Sequence, residues 1–237
     1  MKRRSFLRAA SAGSLVGSAL GNLAYAQRVT ANQPAGFKTA EVEVGGNKIF
    51  LRRYGSGPPI LMVHGFPRTS PMWRFLAPKL AADHTVVCVD LRAYGRSGIP
   101  ASRDDHFPYS KRAMARELVE VMEHLGFRSF VMIGHDRGGR DPARVHGICE
   151  EYRAAATSDI EHERADKAAF KRIECPMLHL WAEGGPLDTF YAKDGGPLGI
   201  WHQWAPRAQG QAMKGGRFFP EEHPDDTAAL VKKFLAA

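Results

Sequence analysis

The chain has 237 residues, 44% of them hydrophobic, which is enough for a domain with a substantial core. Its formal net charge is +8, but no run of Lys or Arg interleaved with aromatic residues occurs. This distribution disfavours a nucleic-acid partner and suits a small anionic substrate better. The three cysteines, Cys88, Cys149 and Cys175, lack metal-ligand spacing, so we expect no disulfide, no metal and no other cofactor.

The N-terminal residues have the pattern of an export signal. Residues 2–8 (KRRSFLR) contain a twin-arginine pair, a weakly apolar stretch runs to residue 23, and 24–26 (AYA) forms a cleavage pattern. The stretch is shorter and less apolar than a membrane span of about 20 residues. We therefore predict a signal peptide at 1–26, recognised by the twin-arginine export machinery, and a periplasmic mature protein that is not attached to a membrane.

Removing the signal would also change the charge, because 1–26 contain four basic residues and no acidic one, which leaves +4. A polar stretch at 27–37 predicts a linker, and 38–237 predict one domain. Within it, alternating residues around a Gly-Gly turn predict a hairpin at 37–54. The short apolar runs at 59–63, 85–89 and 130–134 predict buried strands, and the spacing at 111–125 predicts a helix.

The alternation of strands and helices stops after residue 140. Two helices are predicted at 144–157 and 161–171 with no strand between them, followed by a strand at 177–181 and a closing amphipathic helix at 225–235. The whole pattern predicts an α/β protein with a doubly wound, mostly parallel sheet.

The strongest chemical motif is GHDRGG at 134–139, directly after a predicted strand. Small residues on both sides of a central residue permit the sharp turn of a nucleophile elbow, and here the central residue is Asp136. A carboxylate nucleophile attacks an sp³ carbon and forms an ester, as in the hydrolysis of alkyl halides or epoxides. Taken alone, the motif fits a Gly-rich turn with a helix-capping Asp equally well.

Two other loops favour the elbow. HGFP at 64–67 and DLRAYGRS at 90–97 each follow an apolar strand, in the order expected of an α/β-hydrolase. In that fold, the backbone N–H groups of Phe66 and Arg137 would form the hole that faces the nucleophile.

The motifs HGFP, DLRAYGRSG and GHDRGGR resemble those of haloacetate dehalogenases, including fluoroacetate dehalogenases, within the α/β-hydrolase superfamily. The resemblance implies that Asp136 attacks a short halogenated carboxylic acid whose carboxylate is held by Arg137 and Arg140, with His64 as a further substrate-binding residue. Two guanidinium groups suit this role because they bind a carboxylate through paired, charge-assisted bonds. Epoxide hydrolases share similar motifs but usually carry Trp at the position of Arg137, so epoxide hydrolysis is the alternative reaction.

The chain departs from this family after Arg140, where 141–172 resemble the end of the family's cap domain. We therefore expect an internal deletion that removed a central strand, the triad acid and most of the cap. Pro142 supports a junction here, because proline lacks the N–H that a continuing helix needs. We expect a sheet that is one strand short, with 177–181 shifted to pair with the strand that ends at Gly134.

A second departure concerns the catalytic histidine, which the family carries in a Gly-Gly-His-Phe-like loop. Here that position is Arg217, and an arginine stays protonated and cannot act as a general base. His223 lies six residues further on and is predicted to be a surface residue. The chain is thus expected to be an enzyme by family resemblance, with impaired turnover. The alternatives are a non-catalytic carboxylate-binding remnant and a defective product that never folds well.

Overall fold

The structure is a computed structural model that describes residues 37–65, 68–135 and 142–237. The predicted signal peptide at 1–26 and all but the last residue of the predicted linker lie outside the described residues. None of the helices in the described ranges is long and apolar enough to cross a membrane. The strands are β1 (Lys38–Val44), β2 (Asn47–Tyr54), β3 (Pro59–Val63), β4 (Thr85–Val89), β5 (Val131–Gly134), β6 (Met177–Ala182) and β7 (Ala208–Met213).

Eight α-helices and three short 3₁₀ helices lie in the same ranges. The α-helices are α1 (Ala77–Leu80), α2 (Lys111–His124), α3 (Pro142–Ala156), α4 (Ser158–Ala168), α5 (Pro186–Phe190), α6 (Gly196–His202), α7 (Phe219–Glu222) and α8 (Pro224–Leu235). The 3₁₀ helices are Ser70–Arg74, Phe107–Tyr109 and Ala192–Asp194.

Five strands form a mixed sheet in the order β1-β2-β4-β3-β5. β1 and β2 are an antiparallel hairpin, and β2 continues antiparallel to β4, whereas β3 runs parallel to both β4 and β5. The hairpin turns at Gly45 and Gly46, whose φ angles of 56° and 75° favour glycine. This arrangement confirms the predicted α/β-hydrolase architecture for the first half of the chain.

The central strands are buried on both faces because their side chains alternate between two cores. In β4, Val87 and Val89 pack with α2 on one face, while Val86 and Cys88 pack on the other face with Trp73 and with α8. Each fully buried side chain of this size contributes about 1.5–3 kcal/mol relative to exposure. The strands β2, β4 and β3 are therefore the best-stabilised part of the sheet.

The predicted pairing of 177–181 with the strand ending at Gly134 is wrong. β6 pairs in parallel with β7 over six residues, from Met177 opposite Ala208 to Ala182 opposite Met213, and forms a separate two-stranded sheet. β5 pairs with β3 alone among the described strands, and Met132 on β5 is 63% exposed. The sheet is divided at the place where the missing strand was expected.

The position of α3 explains why β6 does not reach β5. A crossover between parallel strands packs its helix against the face of the sheet. α3 packs instead on the loop after β4: a Cβ on Gly147 would lie 2.3 Å from the Cβ of Ala93 and 3.2 Å from the Tyr109 ring. The helices predicted between residues 144 and 171 thus form, but they cover loops at the carboxyl ends of the strands. Their assignment as a cap remnant stays a prediction.

Buried carboxylates of α3 hold it in this position. Glu151 accepts a hydrogen bond from the Tyr94 hydroxyl at 2.9 Å, and Glu150 lies 2.7 Å from His106 Nδ1. Within α3 itself, Arg153 Nη1 lies 2.6 Å from Glu150. Burial raises the pKa of Glu150, but hydrogen bonds from Ser102, His106 and Arg153 outweigh burial and lower it to about 2. These polar contacts add to the burial of Ala154 of α3 with Ala93 and Tyr109.

The divided sheet predicts uneven protection against hydrogen exchange. All six side chains of β6 are half-buried, whereas all five of β4 are buried. Amides of β6 and β7 should therefore exchange roughly 100-fold or more faster than those of β4, because they open without unfolding the main sheet. Hydrogen exchange read by mass spectrometry on peptides covering each strand tests this, and equal protection of β4 and β6 would contradict a divided sheet.

Candidate active site

The loops that follow β3 and β5 start side by side. Val63 lies opposite Gly134 in the parallel register, and the His135 backbone N–H donates to the Val63 carbonyl at 3.0 Å. The predicted nucleophile Asp136 follows His135 directly, and Phe66 follows two residues after His64. Phe66, Asp136, Arg137 and Arg140 lie outside the described residues, so their assigned roles stay predictions.

The loop after β4 is a compact turn built around Asp90. The Asp90 carboxylate accepts hydrogen bonds from the backbone N–H groups of Ser70 at 2.7 Å and Arg96 at 3.0 Å. Gly95 has a φ of 52°, and a Cβ there would lie 2.0 Å from Asp90 Oδ2, so only glycine fits. The DLRAYGRS motif therefore encodes a rigid turn that joins this loop to the helix at Ser70–Arg74.

His64 is buried between these loops, with a side chain that is 1% exposed. Its Nε2 accepts the Leu91 backbone N–H at 3.0 Å, and its Nδ1 faces the Gly65 carbonyl at 3.3 Å. Burial lowers the pKa of His64, partly offset by the nearby Asp90 carboxylate. A substrate contact by His64 stays a prediction; in this structure, its ring ties the loop after β3 to the loop after β4.

The backbone of Arg217 contacts His135, the residue that precedes the predicted nucleophile. The His135 ring Nε2 donates to the Arg217 carbonyl at 2.7 Å, and the ring lies 5.7 Å from that of Phe218. The loop position predicted to carry the family's histidine thus faces the residue that precedes Asp136. His223 has a 39% exposed side chain and lies 3.9 Å from Asp226.

An ion-pair cluster at this edge was not foreseen from the sequence. Glu221 in α7 lies 2.8 Å from Arg68 and 3.1 Å from Arg74, both in the segment after β3. The Arg68 guanidinium also lies 4.1 Å above the Phe218 ring. Since Arg74 and Glu221 are 147 residues apart, no local pattern could reveal the pairing.

A separate cavity of about 260 Å³ lies beside α2, away from His64, His135 and Arg217. Of the four arginines in its wall, three have carboxylate partners: Arg92 with Glu117, Arg103 with Asp105 and Arg112 with Asp166, each pair at 2.9 Å; the fourth is Arg116. The charges of the first three are largely neutralised by these partners. Within the described parts of the chain, no group of three His, Cys, Asp or Glu side chains is placed to hold a metal ion.

Known proteins are similar to this chain in both sequence and structure. A family model for the α/β-hydrolase fold matches residues 58–140. A fluoroacetate dehalogenase from Burkholderia sp. is 29% identical, over 85% of this chain and 94% of its own length. A structure named as an α/β hydrolase from Nostoc sp. PCC 7120 has a TM-score of 0.78 and 31% identity, over 84% of this chain and 98% of that one.

A structure named as an epoxide hydrolase mutant from Pseudomonas aeruginosa, with bound MFA, has a TM-score of 0.77 and 29% identity. The match covers 86% of this chain and 97% of that one. The alignment with the Burkholderia protein extends over 296 positions, more than the 237 residues of this chain. The relative therefore contains internal residues that have no counterpart here, as the expected deletion requires.

Burial of His64 predicts a loss of stability in mild acid. Burial lowers the pKa of His64 in the folded protein below its ordinary value of about 6.5. As the pH falls below 6.5, the unfolded chain therefore binds a proton at His64 more readily than the folded protein, and the folded state loses stability. The free energy of unfolding should decrease between pH 7.5 and pH 5. A His64→Gln variant should be less stable at pH 7.5 but should lose less on acidification.

Urea denaturation of both proteins at the two pH values measures this difference. An equal loss on acidification in the variant would show that other groups carry the pH dependence, such as His135 and His179, whose pKa values burial also lowers.

Proposed function

Because the chain belongs to the α/β-hydrolase family, we propose that it acts as a hydrolase of the haloacetate dehalogenase type with Asp136 as the nucleophile. The observation that carries this proposal is the meeting of three loops at one edge of the structure. The β3 and β5 loops are joined by the bond from His135 to Val63, and the Arg217 loop is joined to them through the His135 ring. The Burkholderia fluoroacetate dehalogenase supports the choice of substrate class.

In the proposed first step, a carboxylate oxygen of Asp136 attacks the carbon that carries the halogen. The new C–O bond forms as the C–halogen bond breaks, and the halide leaves with the bonding electron pair. Arg137 and Arg140 hold the substrate carboxylate and align the C–halogen bond with the nucleophile. The product of this step is an ester between Asp136 and the acetate unit.

The second step would be hydrolysis of that ester, in which water attacks the ester carbonyl. The backbone N–H groups of Phe66 and Arg137 would stabilise the negative charge on the carbonyl oxygen. Water must also lose a proton to a base, and Arg217 occupies the position where the family has its histidine. A permanently protonated guanidinium cannot accept that proton. The chain is therefore proposed to react once and to retain the ester.

A non-catalytic function is the second candidate, and Arg217 is the observation that favours it. A third arginine near Arg137 and Arg140 would strengthen the binding of a carboxylate without helping to hydrolyse an ester. Epoxide hydrolysis is a weaker candidate because Arg137 stands at the position of the usual Trp.

The proposed location of the protein is the periplasm, reached through export directed by residues 1–26.

The test is to incubate the protein lacking residues 1–26 with excess chloroacetate or fluoroacetate. About one equivalent of halide should be released, measured by ion chromatography, and intact mass should show one carboxymethyl group added per chain. Asp136→Asn should abolish both signals. Asp225→Asn should abolish neither, because this matched control changes a surface carboxylate in α8 whose side chain is 83% exposed.

The other outcomes separate the alternatives. Sustained halide release would show that another group supplies the base and that Arg217 does not block turnover. Binding of acetate without halide release or adduct would favour the carboxylate-binding function. Conversion of an epoxide to a diol, with no reaction of haloacetates, would favour epoxide hydrolysis. Absence of a cooperative melt would favour the defective product.

A further inference from the structure

The cavity beside α2 has a basic wall for which the proposed reaction has no use. It lies between the turn of the β1–β2 hairpin, the loop after β4 and α2, and its volume is about 260 Å³. None of the described residues in its wall has a role in the proposed reaction. This volume suits a small organic ligand, since pockets for larger ligands usually exceed about 300 Å³.

The floor of the cavity is a buried ion pair whose partners are satisfied. Arg92 and Glu117, with side chains that are 9% and 4% exposed, lie 2.9 Å apart. Glu117 also accepts a hydrogen bond from the Asn47 side chain at 2.8 Å, and Arg92 donates to the Pro108 carbonyl. This pair stays in place, because the loss of one partner would leave an unpaired buried charge. The floor is therefore neutral and fixed.

The rim of the cavity contains arginines whose ion pairs are exposed. Arg103 pairs with Asp105, and the two side chains are 63% and 47% exposed. Arg112 pairs with Asp166 at 2.9 Å, but Lys171 contacts the same carboxylate at 2.6 Å. Exposed ion pairs contribute little to stability, and each guanidinium has five N–H donors. Arg103 and Arg112 can therefore bind an anion in the cavity at little cost.

Arg116 adds a positive charge that is not paired. It follows Arg112 by about one helical turn, and both side chains line the cavity. Within the parts of the chain that the structure describes, the Arg116 side chain has no ion-pair partner. Like charges at this spacing repel each other. An anion bound between Arg112 and Arg116 would offset this repulsion and would accept charge-assisted hydrogen bonds from both.

The remaining wall is apolar except at one end. Four apolar residues line the cavity, namely Val44, Phe107, Pro108 and Ala113. The Glu120 carboxylate lies at the end formed by the hairpin, where a Cβ on Gly45 would be 3.7 Å from it. A ligand with one negative charge at the arginines and an apolar body suits this wall, whereas a second negative charge near Glu120 would be repelled.

We propose that this cavity binds a small organic carboxylate with an apolar body, for which benzoate serves as the probe. The carboxylate contacts the three rim arginines, and the apolar body packs on Phe107 and Pro108. The proposal does not depend on the proposed hydrolase reaction, which assigns the binding of a haloacetate to Arg137 and Arg140. The protein thus has a second carboxylate site, which takes a ligand that is not hydrolysed.

Benzoate titrations at low ionic strength, followed by the NMR shifts of backbone amides, test the proposal. Shifts should concentrate at residues 44–45 and 103–120, with a dissociation constant on the order of 1 mM. Arg116→Gln should weaken binding about fivefold or more, because it removes the charge of the unpaired guanidinium. Glu120→Gln should strengthen binding about twofold or more, because it removes a carboxylate that repels the ligand.

Arg128→Gln is the matched control, since Arg128 is exposed and lies in the segment before β5, outside the cavity wall. Its dissociation constant for benzoate should stay within about twofold of that of the parent protein. Benzyl alcohol has the same ring without the charge, and inorganic phosphate has charge without the ring. Each should bind about fivefold or more weakly than benzoate. Thermal melts show whether each variant is folded.

The absence of amide shifts at about 20 mM benzoate would overturn the proposal, as would equal affinities of the parent and Arg116→Gln proteins. Equal binding of benzyl alcohol or of phosphate would overturn the assigned ligand class. Weakening by Arg140→Gln but not by Arg116→Gln would place benzoate at the predicted active site and contradict the proposal. If Arg116→Gln does not fold, Arg103→Gln takes its place with the same expected loss. Failure of the haloacetate reaction would leave all of these outcomes unchanged.

Discussion

The pairing of β3 with both of its parallel neighbours is the constraint on which the rest of the structure depends. Parallel strands end at the same edge, so the register that places Val63 beside both Val89 and Gly134 brings three consecutive loops together. Hydrophobic burial on both faces fixes this register, since a slip by one residue would exchange Leu61 with Ile60 and Met62 between the two cores. The chemistry of the loops therefore rests on the packing of an apolar strand of five residues.

The second half of the chain depends on different interactions. It attaches to this frame through the apolar side of α8, the buried carboxylates of α3 and the contacts of His135 with Arg217 and of Glu221 with Arg68 and Arg74. Among the described strands, no continuous ladder of hydrogen bonds joins the two sheets. Buried charged groups give strength only while their partners stay in place, because an unpaired buried charge is costly. Glu150, which contacts Ser102 and His106 outside its own helix, and Glu221, which has two arginine partners, thus link the two halves.

Much of the first half could be predicted because its information is local. Alternating or continuous apolar runs gave each of the strands β1 to β5, and the order of the loop motifs gave the fold. The partner of β6 could not be obtained in the same way, because an apolar run predicts a strand but not its neighbour. In the structure, β6 pairs in parallel with β7 over six residues.

The candidate site shows the same limit. Asp136 and Arg217 stand in recognisable motifs, whereas the roles of Arg68, Glu221 and the His135 ring come from contacts between distant segments. His135 lies inside the GHDRGGR motif, but the motif predicts no role for its side chain. A glycine such as Gly95 is the opposite case, because its conformation and its distance from Asp90 explain the motif in which it occurs.

The two edge strands of the five-stranded sheet, β1 and β5, differ in a way that affects self-association of the chain. β1 carries Lys38, Glu41 and Glu43, charges of the kind that discourage another strand from adding to an edge. β5 has the sequence VMIG, with no charge and with Met132 facing water. At high protein concentration, two copies of the chain should therefore associate through β5 rather than through β1. A two-fold dimer formed through β5 would leave no free β5 edge for a third copy to join. The fraction of monomer would therefore decrease as the protein concentration rises.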